Sequence, residues 1–447
     1  MEVLSVFFAF MVLASGAFIT VRLGFFQFTH FFRAISTVLS PQKTPKNGGS
    51  VSPFQALAAA LGGSIGTANI AGVASALALG GAGAVFYMWL ATLVGMAVKF
   101  SEIVLAVKYR EKRGGAYLGG PMLYIEKGLC NGRGSVRLVL ARAFAFFGLV
   151  SSCVGTPLVQ ANTIAESFSD MLGAFKFGLS PSFTKPVCGA ILALIVGLVV
   201  IGGIRRIGRV SEIVVPFMAL GYVAVCLVVL IRFRTRLIPS IGMIFASALS
   251  PRAAFGGAAG FGIMRAMRVG IARGVYSNEA GVGSAPMAHA CAETRGSVQQ
   301  GLYGIFEVFA DTLVMCTLTA LVVLASGVKL PAEPYASGTG IALSAFSSVL
   351  GEKTASIFLA VSLLLFAFTS IIAWSVYGLN CAKYLFGERV CTPYRIVFTL
   401  LCAVGTLIRS DIVWRGGEML NYLMAAPNLV ALVFLTREVE KEVAFTK

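Results

Sequence analysis

Histidine is nearly missing from this chain: His30 and His289 are the only two in 447 residues, which excludes an imidazole-rich metal centre. Charge is scarce as well, at 12% of residues against roughly 25% in a typical soluble domain, and that shortage excludes an ordinary soluble enzyme. The nine cysteines are odd in number, lie mostly inside apolar segments and form no CxxC pair, so they support neither a disulfide framework nor a zinc site. Nor is there a converging acid, base and metal set of the kind a membrane-embedded enzyme would need.

Apolar residues are abundant instead, at 57% of the chain. Runs such as Val187 to Ile201 and Ile213 to Ile231 are too long and uniform for a globular core, and they recur along the whole length, which predicts an all-α polytopic membrane protein. The 50 glycines, about 11% against the usual 7% or so, fit close helix packing or local breaks in lipid. The formal charge of +17 comes from basic residues spread over short loops, which reads as a topology signal facing a lipid bilayer and not as a nucleic-acid patch.

Apolar runs of about 20 residues predict eleven spans at 2–22, 53–79, 84–107, 138–168, 187–203, 211–231, 255–285, 299–326, 354–386, 394–410 and 417–436. The first begins Met1-Glu2-Val3, without the basic start of a signal peptide, and is read as a helix. With the C-terminus inside, 21 Lys and Arg fall in inner loops and ten in outer ones, which predicts the N-terminus outside, although Arg232, Arg234 and Arg236 vote against it. With residues 1–50 set aside as a leading helix and basic linker, two units of five spans remain, 51–234 and 235–437, followed by a short cytoplasmic tail at 438–447. An odd number of spans per unit forces the two units into opposite orientation.

Two spans are irregular. The second contains Leu61-Gly-Gly-Ser-Ile-Gly-Thr-Ala-Asn69, three glycines, two hydroxyls and an amide in mid-membrane. A helix that opens there frees N–H groups able to hold a carboxylate and C=O groups able to hold a cation; the other reading is a packing seam of small residues. The seventh mixes eight glycines, three arginines and a glutamate over Ala253 to Ser284. Asn69-Ile-Ala-Gly-Val-Ala-Ser75 reappears 209 residues later as Asn278-Glu-Ala-Gly-Val-Gly-Ser284, with five of seven positions matching. Paired breaks in the first helix of each unit are the mark of a transporter built from inverted repeats.

With Gly66-Thr-Ala-Asn-Ile-Ala-Gly-Val73, Gly80-Gly-Ala-Gly-Ala-Val-Phe-Tyr-Met-Trp89, Lys99-Phe-Ser-Glu102, Gly120-Pro-Met122, Ala272 to Pro286, Asp311-Thr312 and Met424-Ala-Ala-Pro-Asn428, the chain resembles the alanine or glycine:cation symporter family. That family belongs to the amino-acid transporter superfamily with the leucine-transporter fold. The resemblance runs from about Gly16 to Leu435. It implies a 5+5 inverted repeat with two interrupted helices and one extra N-terminal helix. Three departures bear on substrate and ion rather than fold: Ala68 stands for a usual glycine, Tyr87 for a tryptophan, and Leu379 for a carboxylate after Trp374-Ser-Val-Tyr-Gly378.

Substrate contacts are expected from the backbone of Gly66, Thr67 and Ala68 to a carboxylate, from Asn69 and Asn278 on the two broken helices, and from Gln160, with Asn162 reading as interhelical. Trp374 is expected to cap the pocket. By resemblance, sodium is expected between carbonyls near Gly62 and Ile65 and the hydroxyls of Thr369 and Ser370; the alternative is hydroxyls bonded back to their own helix. Among membrane charges, Lys99 and Glu102 read as a structural pair, Glu307 and Asp311 as one helical face lining an ion path or tied to Arg273, and Glu279 as shaping the site. The function implied is sodium-coupled import of alanine or glycine with no covalent cofactor; a proton-coupled permease, a channel and a non-transporting sensor are the alternatives.

Overall fold

The computed structural model describes residues 2–40, 50–113, 116–129, 134–176, 179–249, 258–330 and 338–446. Helix dominates, and all eleven apolar stretches are helical within these residues. Among the described residues seven helices are long and apolar enough to cross a membrane, including Gly83–Lys108, Gly203–Arg232 and Glu352–Phe386. Among the described residues the strands are limited to a short antiparallel hairpin, Glu111–Arg113 with Ala116–Leu118, pairing Glu111 with Leu118.

Both interruptions are present. The second span is Pro53–Ser64 and Ala71–Gly80, separated by Ile65–Ile70 with a 3-10 turn over Thr67–Asn69. Its start is capped reciprocally: the Gln55 N–H donates to Ser52 Oγ and the Ser52 N–H to Gln55 Oε1, both at 3.1 Å, with Pro53 in the first turn. The seventh span is Ala258–Asn278, a non-helical stretch to Ala285, and the short helix Pro286–His289. Part of the predicted seventh span, residues 255–257, lies outside the described residues.

The fourth span bends at Gly155, two residues before Pro157, into Gly134–Val154 and Thr156–Ala174. The eighth carries a π-helical stretch, Phe309–Cys316, between Ser297–Val308 and Thr317–Ser326, a feature often found where a helix serves a site. Among the helices that stand where the sequence predicts loops, the longest described are Arg234–Leu249 and Gly338–Leu350; at 16 and 13 residues they are shorter than a span. The last helix runs Ser410–Thr446, so the tail continues it and docks: Lys108 donates to Glu438 Oε2 at 2.7 Å, which holds that carboxyl below the usual carboxylate range, and Arg22 pairs with Glu440 at 2.8 Å.

Gly83–Lys108 is the scaffold's axis, buried from Ala91 to Val107 on most of its faces and packed on Ala258–Asn278 and Ser297–Val308. Exposed Phe10, Ile213, Phe217, Leu220 and Phe434 form the outer apolar surface expected of helices in lipid.

Candidate functional site

At the first break every residue from Ile65 to Ile70 is buried. Gly66 is extended, at φ −128 and ψ −159, and its N–H donates to Asn69 Oδ1 at 2.9 Å, closing the loop on itself. The Thr67 N–H donates to Gln160 Oε1 at 3.1 Å. Of the N–H groups expected to take a carboxylate, two are engaged in this structure: that of Gly66 is held within the loop, and that of Thr67 meets an amide oxygen. A side-chain carbon added at Gly66 would come within 2.8 Å of Gln160 Nε2. The Thr67 hydroxyl and the Tyr377 hydroxyl are buried without a hydrogen-bond partner among the described residues.

Asn69 points the other way. Its Nδ2 donates to Asp311 Oδ1 at 2.7 Å, and the Thr319 hydroxyl donates to the Asn69 carbonyl at 2.7 Å. Asp311 Oδ2 accepts from Ser277 and Thr312, each at 2.8 Å, and Asn278 Nδ2 donates to Thr312 Oγ1 at 3.1 Å. The two asparagines of the repeated motif thus converge on the adjacent pair Asp311-Thr312 in the π-helical turn. Their places in the chain are not equivalent: Asn69 closes the first break and leads into Ala71–Gly80, whereas Asn278 ends its helix and the break follows. Asp311 is tied to both broken helices and not to Arg273, whose partner is Glu418 at 2.9 Å.

The second break turns through Glu279, Gly281 and Gly283, at φ 55, 86 and 84. Glu279 is an uncommon non-glycine residue in the left-handed region, held there from both ends of its side chain: Trp374 Nε1 donates to Oε1 at 2.7 Å and the Ser284 hydroxyl to Oε2. Trp374 is fully buried and meets the Tyr377 ring edge-on at a centroid distance of 5.5 Å.

Glu352–Phe386 brings Thr369 and Ser370 against the first broken helix. A side-chain carbon at Gly62 would lie 3.1 Å from Thr369 Cβ, and the Ser370 hydroxyl donates to the Gly63 carbonyl at 2.9 Å. Thr369 Oγ1 donates to Phe366 and Leu365 carbonyls of its own helix, at 3.0 and 3.1 Å. Ile65 ends the inner half-helix by donating to Leu61 at 2.7 Å. Two hydroxyls and neighbouring carbonyl oxygens are a donor set that suits a hard cation.

Other expectations are redrawn. Lys99 pairs with Glu307 at 3.3 Å on another helix, while Glu102 accepts from Asn428 at 2.6 Å, so the two are not the simple pair their spacing suggests. Asn162 bonds the Ile408 carbonyl at 2.6 Å, an interhelical role. Sequence reasoning gave no role to Ser277, Thr312 and Thr319, although the first two lie in motifs that carry the resemblance; Asp311 was marked by its charge, with an ion path or a tie to Arg273 as alternatives, and of these the structure lacks the tie.

A profile of the sodium:alanine symporter family matches residues 2–445. The sodium/alanine symporter AgcS of Methanococcus maripaludis is 39% identical over 97% of this chain and 92% of its own length. A probable sodium/glutamine symporter of Bacillus subtilis, GlnT, is 34% identical over 96% and 85%. Among solved structures, MhsT in complex with L-phenylalanine superposes with a TM-score of 0.56 over 91% of this chain and 99% of its own, at 12% identity, which establishes a shared fold. Family and fold are those of multi-pass membrane transporters of amino acids and not of enzymes: the chain belongs to the sodium:alanine symporter family.

Proposed function

We propose that the chain imports a small neutral amino acid, alanine or glycine, with sodium moving down its gradient. The observation that carries this reading is the oxygen of Gln160 on the Thr67 N–H, beside the unpartnered Thr67 hydroxyl. An N–H at a helix break that already takes an amide oxygen can take a substrate carboxylate oxygen, with Gln160 turning aside to bond the substrate. Gly66, Thr67 and Ala68 form the carboxylate end, Asn69 and Asn278 brace it through Asp311-Thr312, and Trp374, fixed by Glu279, limits side-chain size.

Sodium binds between Thr369, Ser370 and carbonyls near Gly62 and Ile65. The packing of Gly62 and Gly63 on these hydroxyls supports that site, since a cation there ties the first broken helix to Glu352–Phe386. Rocking of one bundle against the other around the breaks then exposes the site alternately. Residence in a plasma membrane with the N-terminus outside and C-terminus inside follows the distribution of basic loops.

The deciding experiment is uptake of labelled alanine and glycine into proteoliposomes under an inward sodium gradient, and under potassium with an inward proton gradient. Concentrative uptake with sodium alone is expected. Uptake driven by protons replaces the coupling ion, and saturable binding without uptake under either gradient replaces transport with sensing.

A further inference from the structure

Three motifs visible in the sequence have no part in the site above: Lys99-Phe-Ser-Glu102, Gly120-Pro-Met122 and Met424-Ala-Ala-Pro-Asn428. The fold gathers them behind the second break, and Asn428 is the knot. Its Nδ2 donates to Glu102 Oε1 at 2.6 Å and to the Gly281 carbonyl at 3.0 Å, while its Oδ1 accepts from the hydroxyl of Tyr124, two residues past Met122. At φ 86, with a side-chain carbon there falling 2.8 Å from Leu429 Cδ2, Gly281 is a position where only glycine allows this approach.

The groups around Glu102 extend as a lattice. Lys99, on the same helix, pairs with Glu307 of Ser297–Val308; Glu307 Oε2 lies 3.2 Å from His289 Nε2, and Gln300 Nε2 lies 2.9 Å from His289 Nδ1. An amide N–H needs an acceptor at Nδ1, which leaves Nε2 to donate to Glu307. Lys99, Glu102, Glu307, His289 and Asp311 are fully buried, and Glu279 nearly so. Four buried carboxyl groups and one lysine thus share a low-dielectric interior, where excess charge of one sign is costly. Three of the four are well supplied: Asp311 has three side-chain donors, Glu279 has two, and Glu307 has Lys99 and His289. Glu102 has Asn428 on Oε1 and, among the described residues, nothing bonded to Oε2.

We propose that Glu102 is a proton-binding site linked to movement of the second break. In the present geometry Asn428, itself tied to the Gly281 carbonyl, and the charge of Lys99 one turn away support the carboxylate. When the break moves and draws Gly281, and Asn428 with it, away, the hydrogen bond to Oε1 goes, and an O–H bond forms on Oε2 with a proton taken from water; the proton returns to water when the break closes back. Linkage is reciprocal, so low pH favours the displaced break. The site adds to the sodium reading and does not depend on which ion drives uptake.

The test is infrared difference spectroscopy of the purified full chain between high and low pH without substrate. A protonated-carboxyl C=O band is expected in the parent protein and lost in Glu102→Gln, whose side chain keeps an acceptor for Asn428. Glu102→Asp, the fallback if the glutamine variant does not fold, is expected to shift the band's frequency. A band unchanged in either variant overturns the proposal. In proteoliposomes, Glu102→Gln is expected to keep sodium-driven uptake but flatten its pH profile, and a profile identical to the parent's also overturns it. Absence of uptake by the parent at every pH strikes the transport reading alone, because the infrared result stands by itself.

Discussion

Between Ile65 and Ile70 the chain leaves its helix through one extended glycine and no charge; between Glu279 and Ala285 it turns three times through positive φ and carries a carboxylate. The first break is held by neutral amides, Asn69 within the loop and Gln160 from outside. Trp374, Ser284 and Asn428 grip the second through a charged side chain and a carbonyl. Neutral, replaceable contacts suit a place where a ligand comes and goes, and charge-assisted ones suit a frame. On the function proposed above, the first break serves as a binding surface and the second as its frame.

The sharpest way to break that contrast is to add the same methyl group to each. Gly283→Ala puts a carbon 2.6 Å from Pro121 Cγ and 2.8 Å from Phe144 at φ 84, so it is expected to cost about 3 kcal/mol or more and to lower the melting temperature and folded yield in detergent. Gly66→Ala, in extended backbone and facing the movable end of Gln160, is expected to leave the melting temperature close to the parent's and raise the KM for alanine about tenfold or more, the worth of a hydrogen bond to a charged group. Equal losses of stability in the two variants would remove the distinction.

Thr369→Val carries the smallest expected effect. Its hydroxyl bonds only its own helix and Met218 Sδ, so the fold should tolerate the change, while half-saturation by sodium rises about threefold to tenfold in uptake assays. Normal sodium dependence would remove Thr369 from the cation site.

Much of the architecture is legible without coordinates, because a lipid interior demands about 20 apolar residues per crossing and tolerates a broken helix only where something else satisfies the backbone. Glycine runs at Gly62 to Gly66 and at Gly281 to Gly283 mark both breaks. The helices Arg234–Leu249 and Gly338–Leu350 escape such reading because they are too short to show as crossings. The repeated Asn69 and Asn278 motifs point to two related breaks but mislead on register, since local likeness does not say on which side of its asparagine each helix opens.

Spacing along one helix suggests Lys99 with Glu102, yet the partners are Glu307 and Asn428. Composition and hydropathy determined that this chain crosses a membrane many times, and the glycine motifs that two of its spans are interrupted, for those properties depend on residues close together in sequence. Only the tertiary structure decided that Gln160 covers Thr67, that Asp311 joins both broken helices, and that Glu102 lies behind the second. Those choices join residues 34 to 326 positions apart, and in an interior without water each buried polar group takes whichever partner the packed helices bring within reach.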